Sequence, residues 1–281
     1  MDTSTTNHEH VTVVTLNMEY GRTKKRCGVQ RGDLLSRSNP DVVLLQESNP
    51  SRLQLPSHYE LVRFPANTMD TCERMDIYVN RRSPWDVHER FQLDTLPSVS
   101  PRQSKLVTLK HRHTGKRIRV ANVHLVGGRY DENDTLGGML KSNVRTLRRL
   151  KNELLTELVR RYHVDIIAGD FNSDLNCFLN GGVVCPSQMA FFRRVAPGKK
   201  THIYQEWNTA PFTYLASQGY QCAADQATLD CRVFTSIFKN HPDAIWFKST
   251  VGTLVAYETM DFLTDRWSDH NGLGLTLRLS P

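Results

Sequence analysis

The chain lacks any apolar run long enough to span a bilayer. That excludes a helical channel or transporter. It also lacks a C-x-x-C pair: Cys27, Cys72, Cys177, Cys185, Cys222 and Cys231 stand apart, so no zinc site is expected. The N-terminus does not read as a secretory leader. "MDTSTTNHEH" is polar and carries two acids, where a leader needs a basic start and an apolar stretch. The expectation is an intracellular protein, cytoplasmic or nuclear, with free thiols; a disulfide among the last four cysteines is the alternative. Neither a low-complexity segment nor a linker divides the 281 residues. Residues 1–10 read as a flexible tail and 11–281 as one domain, expected as a monomer and long enough to bury a full core. Acid is scarcer than base, 29 Asp and Glu against 36 Lys and Arg, for a net charge of +7. The excess leans towards an anionic partner, DNA or RNA foremost, and says nothing about the fold.

What is present is strand signal. "HVTVVTLNMEY" (10–20) alternates and is β-branched, and "DVVLLQE" (41–47) is a continuous apolar run fit for a strand covered on both faces. "YELVRF", "RMDIYVN" and "WDVHERF" suggest further strands. Residues 104–126 read as two strands around a His-Thr-Gly turn, and "DAIWFKS", "TLVAYETMDF" and "NGLGLTLRLS" return to strand character. Helices are expected over 29–38, stopping before Asn39-Pro40, and over 141–163. In the second, Val144, Leu147, Leu154, Leu155, Leu158, Val159 and Tyr162 share a face, and Arg145, Arg148, Arg149, Lys151, Arg160 and Arg161 form a solvated one. Residues 174–240 show no clean period and read as short helices and loops that cover the site.

One pattern occurs twice. "DLLSRSNPDVVLLQE" and "ELVRRYHVDIIAGDF" each run helix, turn, Asp, buried strand, acid. Polar groups recur wherever an apolar strand stops: Asn17 and Glu19, Glu47, Asn122 and His124, Asp170 and Asn172, Asp269 and His270. Burying such groups costs several kcal/mol each, of order 2–7, unless they are paired or bind a cation. Any one of them reads equally well as a strand-end turn; the set does not. Carboxylates, amides and imidazoles without thiolates suit a hard cation, magnesium or manganese, together with phosphate oxygens. A carboxylate can deprotonate a water for in-line attack, and a metal stabilises the charge that grows on phosphorus and the leaving oxygen.

The pieces "TLNME", "LLQE", "NVHL", "GDFNS", "DAIWF" and "SDH", in that order over residues 11–279, resemble the endonuclease/exonuclease/phosphatase superfamily of deoxyribonuclease I-like metal-dependent phosphoesterases. The resemblance implies an α/β fold, a four-layer sandwich of two packed mixed sheets flanked by helices. It implies Glu47 as principal metal ligand, with Asn17 and Glu19 or Asp269 near the metal. Asp170 would activate water, and Asn172 would bind phosphate and position Asp170. His124 would contact the scissile phosphate, and His270 would stabilise the transition state, oriented by Asp243. The alternative, His270 as general base, stays open, and Asp230 and Asp261 are other candidates for its partner. The implied activity is a divalent-metal phosphodiesterase on nucleic acid, a nuclease or end-processing enzyme such as a 5′-tyrosyl-DNA phosphodiesterase. The alternative is a lipid or small-molecule phosphoesterase on the same fold. "NVHL" is similar to deoxyribonuclease I, deadenylases, sphingomyelinases and tyrosyl phosphodiesterases, and sets apurinic endonucleases lower. A non-catalytic binding module is the third reading, opposed by Glu47, Asp170, Asn172 and His270 all being present.

Three further features flank these motifs: Arg102 before a strand, Arg129 after Gly127-Gly128, and the basic run 22–31 after Asn17. Arg102 and Arg129, with Asn122, are the candidate substrate contacts. Trp207, Phe212 and Tyr214 are candidates for stacking on a substrate face, with core packing expected for at least one.

Overall fold

The structure, a computed structural model, describes residues 9–18, 37–48, 55–64, 74–94, 103–125, 151–184, 186, 189–190, 201–224, 235–236, 240–262 and 268–281. Twelve strands lie within these segments. They are β1 (His10–Asn17), β2 (Val42–Gln46), β3 (Tyr59–Leu61), β4 (Asp76–Asn80), β5 (Trp85–Asp94) and β6 (Gln103–His111). The rest are β7 (Arg117–His124), β8 (Ile166–Asp170), β9 (Tyr220–Cys222), β10 (Asp243–Lys248), β11 (Gly252–Met260) and β12 (Gly272–Leu279). A helix, α1, covers 151–156 and closes in a π-turn, Glu157–Arg161; α2 is Leu175–Leu179 and α3 is Thr201–Ser217. Residues 141–150 of the expected long helix, and most of the helix expected over 29–38, lie outside the described residues.

The strands form two mixed six-stranded sheets, ordered β11-β12-β1-β2-β4-β3 and β5-β6-β7-β8-β10-β9. Each is built on one parallel pair, β1–β2 or β7–β8, with antiparallel neighbours on both sides. The doubled sequence pattern reappears here down to single bonds. Thr12 N–H donates to Asp41 Oδ2 (2.7 Å) and Arg119 N–H to Asp165 Oδ2 (2.8 Å). In return Asp41 N–H donates to Thr12 O and Asp165 N–H to Arg119 O, both 2.9 Å. Two residues before each Asp, Asn39 and His163 share a left-handed backbone, φ 47° and 48°.

Alternation sorts the side chains into layers. Val11, Val13, Val42, Leu44, Ile77 and Val79 of the first sheet meet Val107, Leu109, Val120, Ile166, Ala168 and Ile245 of the second, forming the core between the sheets. On the outer face of the second sheet, Leu106, Val123, Ile167 and Trp246 bury Leu154, Leu155 and Leu158 of α1 and Phe212 and Leu215 of α3. Phe212 stacks on Trp246 with ring centroids 5.8 Å apart, so it is a core residue and no platform for substrate. Tyr214 packs partly buried against the same cluster, and the Trp207 side chain is outside the described residues.

The expectation of short helices over 174–240 is met by α2 and corrected at α3, which runs 17 residues with Pro211 inside it. It lies on the outer face of the second sheet, behind the site rather than over it. A proline within the helix and buried Asn208 hid its period. Cys177 and Cys222 are free thiols. Among the described residues no helix is long and apolar enough to cross a membrane.

Candidate active site

The strand ends that carry the polar groups all open at one end of the sandwich. Asn17 leaves β1 opposite Gln46 of β2, and His124 leaves β7 opposite Asp170 of β8. Asp243 begins β10 opposite Asp170. His270, just ahead of β12, forms an isolated bridge with Ser236, which precedes β10. Below them the two sheets are tied by amides. Gln46 Nε2 donates to Asn122 Oδ1 (2.6 Å), while Asn122 Nδ2 donates to the carbonyls of Leu45 (2.9 Å) and Asp76 (3.0 Å). Asn122, a candidate substrate contact, is fully buried and spends its amide on this floor.

Special backbone turns the acids into the opening. Glu47 and Asn172 follow their strands in the left-handed region, φ 46° and 47°. Gly169 precedes Asp170 at φ 142°, where a Cβ would stand 2.0 Å from the Val123 carbonyl oxygen. Only glycine lets β8 approach β7 this closely. The turn after Asp170 is pinned from behind by Lys151 of α1, whose ammonium donates to the Asn172 carbonyl (2.7 Å) and to Ser173 Oγ (2.8 Å). Lys151 is 1% exposed, which corrects its assignment to a solvated basic face. The usable signal was its spacing: it precedes Leu154, Leu155 and Leu158 at helical intervals and so shares their buried face.

Asp170 is the hub. Its Oδ1 accepts the Asn172 backbone N–H (2.7 Å) and its Oδ2 accepts Asn17 Nδ2–H (3.0 Å). His124 Nε2 lies 3.5 Å from Oδ2 and 3.7 Å from Glu47 Oε1. Burial pushes the Asp170 carboxyl up, but the hydrogen bond and charge of His124, the charge of His270 and the Asn172 N–H outweigh it. The net result is a carboxyl well below the usual range. The Asn172 side chain turns away to donate to the Leu125 carbonyl (3.0 Å), so Asn172 positions Asp170 through its backbone.

His270 is the second centre. Its Nδ1 is 2.8 Å from Asp243 Oδ2, both groups being buried, which selects Asp243 over Asp261 as its partner; Asp230 is outside the described residues. Burial lowers the imidazole pKa, yet the charge and hydrogen bond of Asp243, with the charges of Asp170 and Asp269, raise it to about 10. Burial pushes Asp243 up to about 6, against the pull of His270. Three carboxylates around one imidazole favour an imidazolium–carboxylate pair at neutral pH. Ser268 Oγ holds this segment to the first sheet, donating to Asn17 O (2.6 Å) and accepting from His270 N (3.0 Å).

The acidic side of the opening fits a hard cation. Asp269 Oδ1 is buried with no hydrogen-bond partner among the described residues and sits 3.7 Å from His270 Nε2. Burial raises the Asp269 carboxyl, and although His270 opposes this, the charges of Glu47 and Asp170 raise it further. Glu47, a quarter exposed, faces the same space. Carboxylates crowded together with an unsatisfied buried oxygen form a donor set that a divalent cation would neutralise. Asp170, Asp243 and His270 also bring ligand atoms within 4.8 Å of one another. A 2.8 Å hydrogen bond inside that trio marks it as a proton-linked chain, which a metal would have to break. Glu19, Arg102, Arg129 and the basic run 22–31 lie outside the described residues.

No family model and no curated protein matches the chain. Solved structures do. An endonuclease/exonuclease/phosphatase from Bacteroides vulgatus is similar over 97% of this chain and 100% of its own, with a TM-score of 0.63 at 13% identity. AP endonuclease LMAP from Leishmania major is similar over 96% of this chain and 88% of its own, TM-score 0.61, identity 14%. The human Nocturnin catalytic domain with bound sulfate is similar over 96% and 95%, TM-score 0.59, identity 15%. Near-complete coverage of both partners establishes the endonuclease/exonuclease/phosphatase fold, a two-sheet sandwich with mixed sheets.

Proposed function

We propose that the protein is a divalent-metal-dependent phosphodiesterase that hydrolyses a phosphoester of nucleic acid by in-line attack of an activated water. The observation that carries this reading is the buried Asp170 carboxylate, held ionised by three donors, beside the His270–Asp243 pair and an acidic cluster. Asp170 takes the proton of the attacking water; its fixed orientation aims that water at one face of the phosphorus. His270, anchored at Nδ1, directs Nε2 and its positive charge at the oxygens on which charge develops. His124, between Glu47 and Asp170, contacts a non-bridging oxygen. Glu47 and Asp269, with Asn17, would hold the magnesium or manganese ion, which supplies charge stabilisation for the leaving oxygen. Nucleic acid is favoured as substrate by the net charge of +7 and by similarity to AP endonuclease LMAP. End processing, including removal of a 5′-tyrosyl adduct, belongs to the same chemistry.

The test is a panel with magnesium, manganese or chelator. Its substrates are single- and double-stranded DNA, RNA, a 5′-tyrosyl oligonucleotide, a phosphocholine lipid and an inositol phosphate, each run beside Asp170→Asn. Chelator-sensitive cleavage of an oligonucleotide, lost in the variant, is the expected result. Turnover of lipid or inositol phosphate alone would keep the mechanism and overturn the substrate class.

A further inference from the structure

Lys105 is a buried cation that the catalytic scheme does not use. It lies on β6, and Val107 and Leu109, two and four residues on, face the core between the sheets, so Lys105 points inward as well. The residue is 5% exposed; its ammonium donates to the Met75 carbonyl and sits 4.9 Å from the Phe64 ring centroid. A buried charge requires a counter-charge. Among the described residues, the carboxylate acting on it is Asp76, and that carboxylate is already committed. Arg74 Nε donates to both Asp76 oxygens (3.1 Å each), and Ser48 Oγ donates to Oδ2 (2.6 Å). Among the described residues two cations therefore share one anion, leaving a unit of positive charge. Burial pushes the Lys105 ammonium pKa down; Asp76 opposes this and Arg74 adds to it. The Arg74 side chain is a third exposed, and its two terminal nitrogens have no hydrogen-bond partner among the described residues.

This cationic pair flanks the Glu47–His124 wall. Ser48 N–H donates to Arg74 O (2.8 Å), which sets Arg74 beside the residue that follows Glu47. Lys105 is in register with Asn122, two residues short of His124, or roughly 7 Å along the strand. We propose that Arg74 and Lys105 form a second anion subsite that takes a phosphate group of the substrate next to the one cleaved. The assignment rests on the phosphodiesterase reading, which it deepens: a substrate with consecutive phosphates, such as a polynucleotide, fills both positions, and a lone diester fills one. Asp76 and Ser48 act as positioning residues that hold the Arg74 guanidinium by its Nε edge and leave its outer edge for phosphate.

The test compares wild type with Arg74→Gln, Arg74→Lys and Lys105→Met. Binding of a short fluorescent single-stranded DNA is followed without divalent metal over a salt series. Turnover with metal is followed on that DNA and on bis(4-nitrophenyl) phosphate. Arg74→Gln and Lys105→Met are expected to weaken DNA binding at least about tenfold and to lower the salt slope by about one phosphate contact. Arg74→Lys should restore part of both. The loss in kcat/KM should be several-fold larger on DNA, through KM, than on the single diester. Equal losses on both substrates, or unchanged DNA affinity and salt slope in variants that melt like wild type, would overturn the subsite. If the wild type turns over neither substrate while the variants still lose DNA binding, the hydrolase reading fails and the subsite stands.

Discussion

Asn17 ends a strand of one sheet, Asp170 ends a strand of the other, and a hydrogen bond from Asn17 Nδ2 to Asp170 Oδ2, 3.0 Å long, joins them across the sandwich. With the Asn172 N–H on the other oxygen, both Asp170 oxygens face donors. Asp170→Asn would set an amide N–H against one of those donors and remove the proton acceptor. Turnover is expected to fall about 10²–10⁴-fold with DNA affinity retained. Steady-state rates and anisotropy titrations check this; turnover at the wild-type rate would remove Asp170 from the water-activating role.

His270 reaches the opening only through its anchor. The 2.8 Å bond to Asp243 fixes the ring and gathers positive charge there. His270→Ala is expected to cost about 3 kcal/mol of barrier, read as kcat/KM, and His270→Gln somewhat less. Asp243→Asn keeps the ring but weakens its charge and should give an intermediate loss. A variant order in which Asp243→Asn is worse than His270→Ala would place the chemistry on Asp243 instead.

Much of this arrangement was legible because its signals are local. The apolar runs that stop at Asn17, Glu47 and Asp170 became strands ending at the site, and the doubled pattern at Asp41 and Asp165 became two strand entries held by the same pair of bonds. Order and spacing alone carried Glu47, Asp170 and His270 to one end of the sandwich. What sequence concealed depends on the partner a side chain meets. Asn122 follows an apolar run as the site residues do, yet it meets Gln46 from the other sheet and is consumed below the opening. Lys151 looks like one more basic helix residue until the 170–173 turn supplies its acceptors. The helix α3 was obscured by Pro211, whose usual helix-breaking effect is outweighed by burying Phe212 against Trp246.

Asp41 predicts a pH dependence of stability remote from the site. Burial raises its pKa from 3.8 to about 6, against hydrogen bonds from Thr12 and Ser83 and the charge of His10. The folded state therefore holds this proton more tightly than the unfolded chain. Stability from this group is present below about pH 4 and is lost as pH rises through about 6, by about 1–3 kcal/mol in all. Urea unfolding from pH 4 to 7.5 should show that slope in wild type and lose it in Asp41→Asn. Parallel profiles for the two proteins would refute the assignment.

Gly169 tests the close approach of β8 to β7. A methyl group there would stand 2.0 Å from the Val123 carbonyl oxygen on a backbone that other residues avoid, so the strands must separate just below Asp170. Gly169→Ala is expected to destabilise by more than about 2 kcal/mol and to lower turnover in the fraction that still folds. Thermal melting measures the first effect; an unchanged midpoint would mean the strands part without cost.

Glu47 tests the cation site without relying on turnover. Its left-handed backbone, φ 46°, aims the carboxylate towards His124 and the crowded acids. Glutamine has the same length and accepts the same backbone, so Glu47→Gln changes the charge and little else. Without a cation the variant should be as stable as wild type or more so, because one of the charges that raises Asp269 is gone. With a cation the order should reverse. Magnesium or manganese should raise the wild-type melting temperature in a saturable way, and the variant should need at least about tenfold more metal for the same rise, equivalent to about 1.4 kcal/mol of binding. Equal metal titrations for the two proteins would take Glu47 off the ligand set and shift the site towards Asp269 and Asp170.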